Sequence, residues 1–351
     1  MYDTTIINIV VYAKSIHIYI EQIGNNKKVK HSSEKIFILN DSYSDELLHD
    51  YIKPFTEDTP YYYVVMLDAS LEQGAIPTCD KHKMSLYAEL STAKYICIDN
   101  KWACYTSQLF LEEEMQLLGE IGCDLIYSPF VVLKNFYADK TKGEIALYVF
   151  VQEHSLTLAV FKENRLLYGE YIDTRFEISP EEEMQLTADR LEESKDMDSQ
   201  DDSIDLDDIE LDEDDLNLDD DFDNLESLEP IEDLGDIDSL EDEDNPELQL
   251  DESLDAISEK AEELSNEAKD IERTSEDFKR FTLIQQSLSR FYNDERFESD
   301  FIENLYVADA VQLTGDFKRY IQDEMFLNVY IRSIEPELEI CHLAKEELGL
   351  I

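Results

Sequence analysis

The chain has 351 residues, 29 basic against 84 acidic, for a formal net charge of −55. So negative a surface repels nucleic-acid phosphates and anionic lipid headgroups, which argues against direct nucleic-acid and membrane-surface roles and favours basic or adaptor partners. The acid is concentrated: Asp196 to Glu259 holds 31 acidic residues in 64 and no Lys, Arg or His, leaving 53 acids against 29 bases elsewhere, or −24.

That remainder is rich in Ile, Leu, Val, Tyr and Phe and can bury a sizeable core. The opening "MYDTTIINIVVYAKS" lacks a basic segment ahead of an apolar one, so no signal peptide is read. No apolar run approaches the ~20 residues of a membrane span. Cys79, Cys97, Cys104, Cys123 and Cys341 are odd in number and form no CxxC pair. Together these features predict a cytoplasmic protein with reduced thiols, without direct membrane insertion.

Ile6 to Tyr12 reads as a strand. Ile16, Ile18 and Ile20 alternate with His17, Tyr19 and Glu21 as a second, and a third follows the "GNNKK" turn. "SYSDELLHDYIKPF" predicts a helix capped by Ser44. "YYYVVMLDA" predicts a buried strand, and "YICIDNKWACYTS" two strands about a tight turn at Asp99-Asn100. "QLFLEEEMQLLGEIG" has Leu109, Leu111, Met115, Leu118 and Ile121 on one side of a helix that Gly122 stops. "CDLIYSPFVVLKNFYAD" gives a short strand, a Pro129 turn and a helix. From Lys142 the pattern restarts. "YVFVQEHSLTLAVFKENRLLYGEYI" is a hairpin broken at "QEHS", with core strands Leu147–Val151 and Leu156–Phe161, a turn at Lys162 to Asn164 and a third strand beyond it. A helix opened by Ser179-Pro180 is expected next. After the acidic tract come a long helix through "FTLIQQSLSRFYND", a strand, loop, helix, strand, loop and last helix.

Within the tract, "IDLDDIELDEDDLNLDDDFDNLESLEPIEDLGDIDSL" alternates acid with apolar residues. Its charge density opposes a packed core, so a disordered insertion is expected. Phe222, Leu225, Leu228, Ile231, Leu234, Ile237 and Leu240 recur every three residues. They are candidate docking residues for a basic, apolar-grooved partner, beside the plainer reading of a solubilising loop. Asp219, Asp221 and Asp223 echo the start of an EF-hand loop without its Gly or closing Glu. Cys79 and His82 have CxxH spacing without a second pair at zinc-finger distance. Cys341-His342 read as adjacent residues at a strand or helix start, where side chains diverge, and Glu153-His154 as a solvated turn, rather than as catalytic pairs. No metal site is expected.

"VVYAKSIHIYIEQIGNNKKVKHS" and "VFVQEHSLTLAVFKENRLLYGEY" share one layout: apolar strand, short polar break, alternating strand, polar turn, third strand. This predicts an internal duplication of β-β-β-α-β-α halves. The division reads as 1–138 for the first half, 139–190 for the start of the second, 191–258 for the insertion and 259–351 for the return. On this layout the chain resembles the α/β actin-like (ASKHA) proteins, whose halves are ribonuclease H-like. "IQQSLSRFYNDERFESDFIENLYVADAVQLTGDFKRYIQDEMFLNVYIRSI" resembles the end of PilM and its relatives, and "CDLIYSPFVVLKNFY" the link between halves shared with the cytoplasmic part of GspL.

An ATPase of that fold needs an Asp and small residues at each hairpin turn, and a glycine-rich loop against adenosine. Here "NIVVYAKS", spanning Asn8 to Ser15, brings no Gly and a bulky Tyr12. "FVQEHSLT" replaces the pattern: Thr157 is kept, but Gln152 and its neighbours bring neither the Asp nor the Gly that the resemblance implies. In the third motif "VADAVQLTGD" sets Ala308, Asp309 and Ala310 where the nucleoside would lie. Neither a cofactor nor catalysis is therefore expected. The resemblance implies a cytoplasmic scaffold, peripheral to the inner membrane, that binds the tail of a PilN-type inner-membrane protein and self-assembles into a ring. It would serve a type IV pilus, type II secretion, DNA uptake, or a flagellar motor with PilM-PilN-PilO parts. Two rivals are an ATP-binding switch of the same fold and an adaptor acting through the acidic tract. The partner groove is expected near exposed edges at Tyr61–Met66 and Lys94–Trp102.

Overall fold

A computed structural model describes residues 3–40, 45–57, 61–119, 121–175 and 273–351. Ser44, the helix at Ser179-Pro180, the acidic tract and its docking candidates Phe222 to Leu240 lie outside the described residues. The first sheet starts with β1 (Thr4–Val11), β2 (Ser15–Ile23) and β3 (Val29–Ile38), all antiparallel neighbours. α1 (Asp45–Glu57) then returns the chain to β4 (Tyr61–Leu67), parallel to β1. The alternation in β2 fixes its faces: Ile16, Ile18 and Ile20 are buried with Leu48 and Ile52 of α1, one helical turn apart.

After β4 comes a small sheet of β5 (Gln73–Ile76), β6 (Ala93–Ile98) and β7 (Trp102–Ser107), with a one-turn α2 (Lys81–Met84) inside it. β5 and α2 are not predicted from the sequence, because neither carries four or more periodic residues. α3 (Gln108–Leu118) stops at Gly119 in a positive-φ conformation, one turn earlier than Gly122. Of its expected apolar side, Leu118 is buried but Leu109 and Met115 are exposed. β8 (Leu125–Tyr127) closes the sheet in the order β3-β2-β1-β4-β8. β4 is thus an inner strand between β1 and β8 over Val65–Leu67, so Val65 and Met66 are not an exposed edge, whereas Tyr61 and Tyr62 at its start stay exposed; single-strand composition does not report which neighbours a parallel strand finds.

The second half repeats this order. β9 (Ala146–Val151), β10 (Ser155–Lys162) and β11 (Arg165–Asp173) are antiparallel neighbours. α5 (273–293) leads to β12 (Asn304–Asp309), parallel to β9, and α6 (Gly315–Met325) to β13 (Asn328–Ser333). The sheet runs β11-β10-β9-β12-β13. All six residues of β9 are buried, as a strand covered on both faces requires. Tyr148, Tyr306 and Tyr330 stack across β9, β12 and β13 with centroids 5.2 and 5.1 Å apart.

The two sheets exchange helices. α4 (Pro129–Phe136) leaves the first half and packs on β9 and β10, whereas α7 (Pro336–Glu347) ends the second half and packs on β1, β2 and β4. Phe130, Tyr148, Phe161, Ile6 and Ile340 therefore share one core. Two halves of identical strand order, each three antiparallel strands followed by two parallel ones, with their helices crossed between them, make the duplicated ribonuclease H-like architecture of the actin-like fold.

Candidate functional site

The two hairpin turns form in the same way. The Tyr12 amide donates to Ser15 O at 2.8 Å and the Gln152 amide to Ser155 O at 3.0 Å. Neither turn contains glycine or a positive φ. Between them lies a cavity of about 170 Å³ lined by Tyr12, Ala13, Ala69, His154, Tyr171 and Arg175 among others. This is where the fold brings its two hairpins together.

Tyr12, Arg175 and His154 of the cleft each have a partner. The Tyr12 hydroxyl donates to Glu337 Oε1 of α7 at 3.4 Å, and its ring meets His17 edge-on at 4.6 Å. His17 Nδ1 lies 3.1 Å from the same carboxylate. Burial, then the Glu337 charge, pushes the Tyr12 phenol well above its usual range. Arg175 Nε donates to both oxygens of Asp173 at 3.0 Å, and its Nη2 closes the fork. Burial pulls the Asp173 carboxyl upward, but the Arg175 hydrogen bonds and charge outweigh it and hold the group below its usual range. His154 Nε2 sits 3.4 Å from Glu153 Oε1.

Of the six positions where the resemblance looked for nucleotide chemistry, Gln152 lines the cleft. Asn8 is buried in β1, where its Nδ2 donates to Tyr19 O at 2.9 Å. Thr157 and Ala308 are fully buried in β10 and β12, and Ser15 is half-buried at the start of β2.

The Asp309 carboxylate folds back on its own loop. Oδ1 accepts from the Val311 amide and Oδ2 from the Leu313 amide, both at 2.9 Å. Gln312 between them takes φ of 61°. The next amide, of Thr314 at the start of α6, donates to Asp277 Oδ2 at 2.8 Å. Asp277 is 1% exposed and held by Arg280 Nη1 at 2.9 Å. Three amides of the loop that would meet a nucleotide are thus capped by two buried carboxylates. Sequence reading missed Asp277 because 37 residues separate it from Thr314; its signal is two charged residues, Asp277 and Arg280, placed on the buried side of an amphipathic helix.

Asp68 was also missed. It directly follows β4, 4% exposed, with Ser70 N donating to Oδ1 at 3.0 Å. Burial pushes its carboxyl up against the pull of the Ser70 and Thr106 hydrogen bonds. Gln73 Nε2 ties the loop by donating to Ser70 O at 2.8 Å and Asp68 O at 3.1 Å. An Asp directly after an apolar parallel strand, as in "VVMLD", is the signal that would have found it.

The weaker constellations resolve differently. Cys79 is disulfide-bonded to Cys97, against the expectation of reduced thiols throughout, because β6 pairs with β7 and lays Cys97 beside the loop before α2. Asp80 caps α2 through the His82 amide at 3.0 Å. Cys341 and His342 lie in the middle of α7 rather than at an element start, the first buried and the second exposed. No cluster of three metal-ligating side chains occurs among the described residues.

The sequence profile of the family described as Domain of unknown function (DUF8341) matches residues 147–349, and that of Domain of unknown function (DUF8569) matches residues 2–134. No curated protein matches the chain. Among solved structures, a Bacteroides thetaiotaomicron protein with an actin-like ATPase fold is 12% identical, covering 54% of this chain and 77% of its own, with a TM-score of 0.36. A PilM-PilN type IV pilus biogenesis complex is 12% identical over 95% of this chain and 89% of its own, with a TM-score of 0.45. The ethanolamine utilization protein EutJ of Carboxydothermus hydrogenoformans is 8% identical over 96% and 87%, with a TM-score of 0.39.

Proposed function

Because the chain belongs to the family described as Domain of unknown function (DUF8341), we propose its function from the cleft and its loops: a non-catalytic, actin-like scaffold. The observation that carries this reading is the capped β12–α6 loop. Amides that a phosphorylated ligand would recruit are held by Asp309 and Asp277 inside the fold. An incoming phosphate would face two carboxylates, whose charge repels it, before it reached a donor. The cleft adds the Arg175 cation, but Arg175 faces the Asp173 carboxylate, and His154 sits beside Glu153.

The partner we propose is the short cytoplasmic tail of a PilN-type inner-membrane protein, in an envelope-spanning assembly such as a type IV pilus, secretion system or motor. This rests on the resemblance of Ile284–Ile334 and Cys123–Tyr137 to PilM and GspL. The exposed outer strand β6, with Tyr95 and Ile96 open to solvent, is the surface of the expected groove region to which we assign the tail.

Steady-state phosphate release from MgATP tests the non-catalytic reading. No release above the blank is expected. Turnover that disappears in Gln152→Ala would overturn it in favour of a working switch. For the partner, crosslinking in native membranes should capture a single-span protein through β6; crosslinks that leave 93–102 untouched would remove the proposed tail from this surface.

A further inference from the structure

A second cavity, sharing no lining residue with the hairpin cleft, opens where three tight turns meet. Its volume is about 380 Å³, within the ~300–1,000 Å³ range of small-molecule sites. The first turn is Asp99-Asn100 between β6 and β7, with φ of 52° and 56°. The second is Glu163-Asn164 between β10 and β11, with φ of 52° and 60°. The third is the segment after α4, where Lys140 N donates to Tyr137 O and Gly143 N to Lys140 O. The second and third turns are locked together: Asn164 N donates to Thr141 O at 2.7 Å, and Thr141 Oγ1 to Asn164 Oδ1 at 3.0 Å. The walls are therefore rigid, and they come from both halves of the fold.

The charge lining this cavity is the reverse of the molecule's. Over the whole chain acids outnumber bases 84 to 29, yet the cavity holds Lys101, Lys134 and Lys142 against one acid, Asp99. Lys134 Nζ is 2.5 Å from Asp99 Oδ2. Lys101 and Lys142 have no carboxylate within ion-pair distance among the described residues. Asp139, beside the lining residue Ala138, is engaged by Arg332 and Lys140. Asn164 presents its amide nitrogen after its oxygen is taken by Thr141. Ile98, Val131 and Leu343 supply an apolar floor. A concave cluster of cations on a chain of strongly negative net charge focuses the field on anions and favours their binding there.

We propose that this cavity binds a small polyanion, a molecule carrying two or more phosphate or carboxylate groups on a compact body, held by Lys101, Lys134 and Lys142 with Asn164 as donor. A ligand there would bridge the two halves, since Lys101 and Lys134 belong to the first and Lys142 and Asn164 to the second. Asp99 competes with it for Lys134.

Calorimetric titration of the full chain with pyrophosphate and, separately, with citrate tests this. Binding of at least one is expected, weakening as salt rises. A stronger response to pyrophosphate assigns a phosphorylated ligand, and a stronger response to citrate a polycarboxylate. Replacing Lys101→Glu with Lys142→Glu should weaken binding about ten-fold or more while leaving the melting curve intact, because both side chains are exposed. Asp99→Asn should tighten binding, an opposite change that misfolding does not produce. Absence of binding by either probe, or equal binding by the double variant, would overturn the proposal. Because the readout is binding of non-nucleotide anions, the outcome is separable from that of the MgATP turnover assay.

Discussion

Asp68 and Asp309 are both buried acids, and they work in opposite directions. The Asp68 carboxyl is raised by burial. A carboxyl raised in the folded state favours folding while protonated, and that contribution is lost as pH rises through its folded value. At neutral pH its ionisation therefore costs stability. Asp68→Asn keeps an acceptor for the Ser70 amide and removes the ionisation. We expect its melting temperature above that of the native chain at neutral pH, with the gap closing toward acid pH; a gap that widens toward acid would contradict this account. Asp309 instead supplies two acceptors to its own loop. Asp309→Ala orphans two amides, at about 1–3 kcal/mol for each that stays dry. Denaturant unfolding should record a loss in that range, and a neutral result would mean that water replaces the carboxylate. Neither role is legible in the sequence, where both residues are an Asp after an apolar strand; only the returning loop distinguishes them.

At the scale of the element, α7 is held to the first sheet by more than its apolar face. Glu21 of β2 has a side chain 4% exposed, and its Oε2 accepts from Lys345 Nζ at 2.7 Å and from Cys341 Sγ at 3.0 Å. Burial, then the bond to Glu21 and its charge, pushes the Cys341 thiol up to about 12, so the sulfur stays a neutral donor. Breaking a buried pair on one side leaves an uncompensated charge, at about 3–5 kcal/mol. Lys345→Ala should destabilise by that order, and adding Glu21→Gln should recover part of the loss. A double variant no more stable than Lys345→Ala would show that the lysine acts through packing alone. This element also separates what periodicity reports from what it does not. β2 was readable because Ile16, Ile18 and Ile20 alternate, and β9 because it is apolar throughout. The one-turn α2 and the four-residue β5 have no such signal. Their place is set by contacts made later: Gly169 of β11 lies so near β5 that a Cβ there would stand 2.8 Å from Ala75 Cβ.

Over the whole molecule the charge of −55 is a long-range property that local pairs do not cancel. Several ion pairs of the described residues, such as Lys30–Asp3 and Arg165–Glu298, are solvent-exposed and contribute little. Self-repulsion dominates, and raising salt from ~0.01 to ~0.15 M shortens its range from about 30 to about 8 Å. The melting temperature should therefore rise over that interval. A fall would mean that attractive pairs outweigh the repulsion.

The sequence by itself determined every strand but β5, most helices, the two hairpins, the duplicated halves and the absence of the usual phosphate-loop residues. These depend on periodicity, turn chemistry and residue type, which are local. Only the tertiary structure decided that β4 is an inner strand, that Cys79 meets Cys97, that Asp277 caps a loop 37 residues away, and that three lysines from both halves surround one cavity. Each joins residues far apart in the chain, and such contacts form because sheet order and crossed helices bring them together. No local pattern of side chains encodes that proximity.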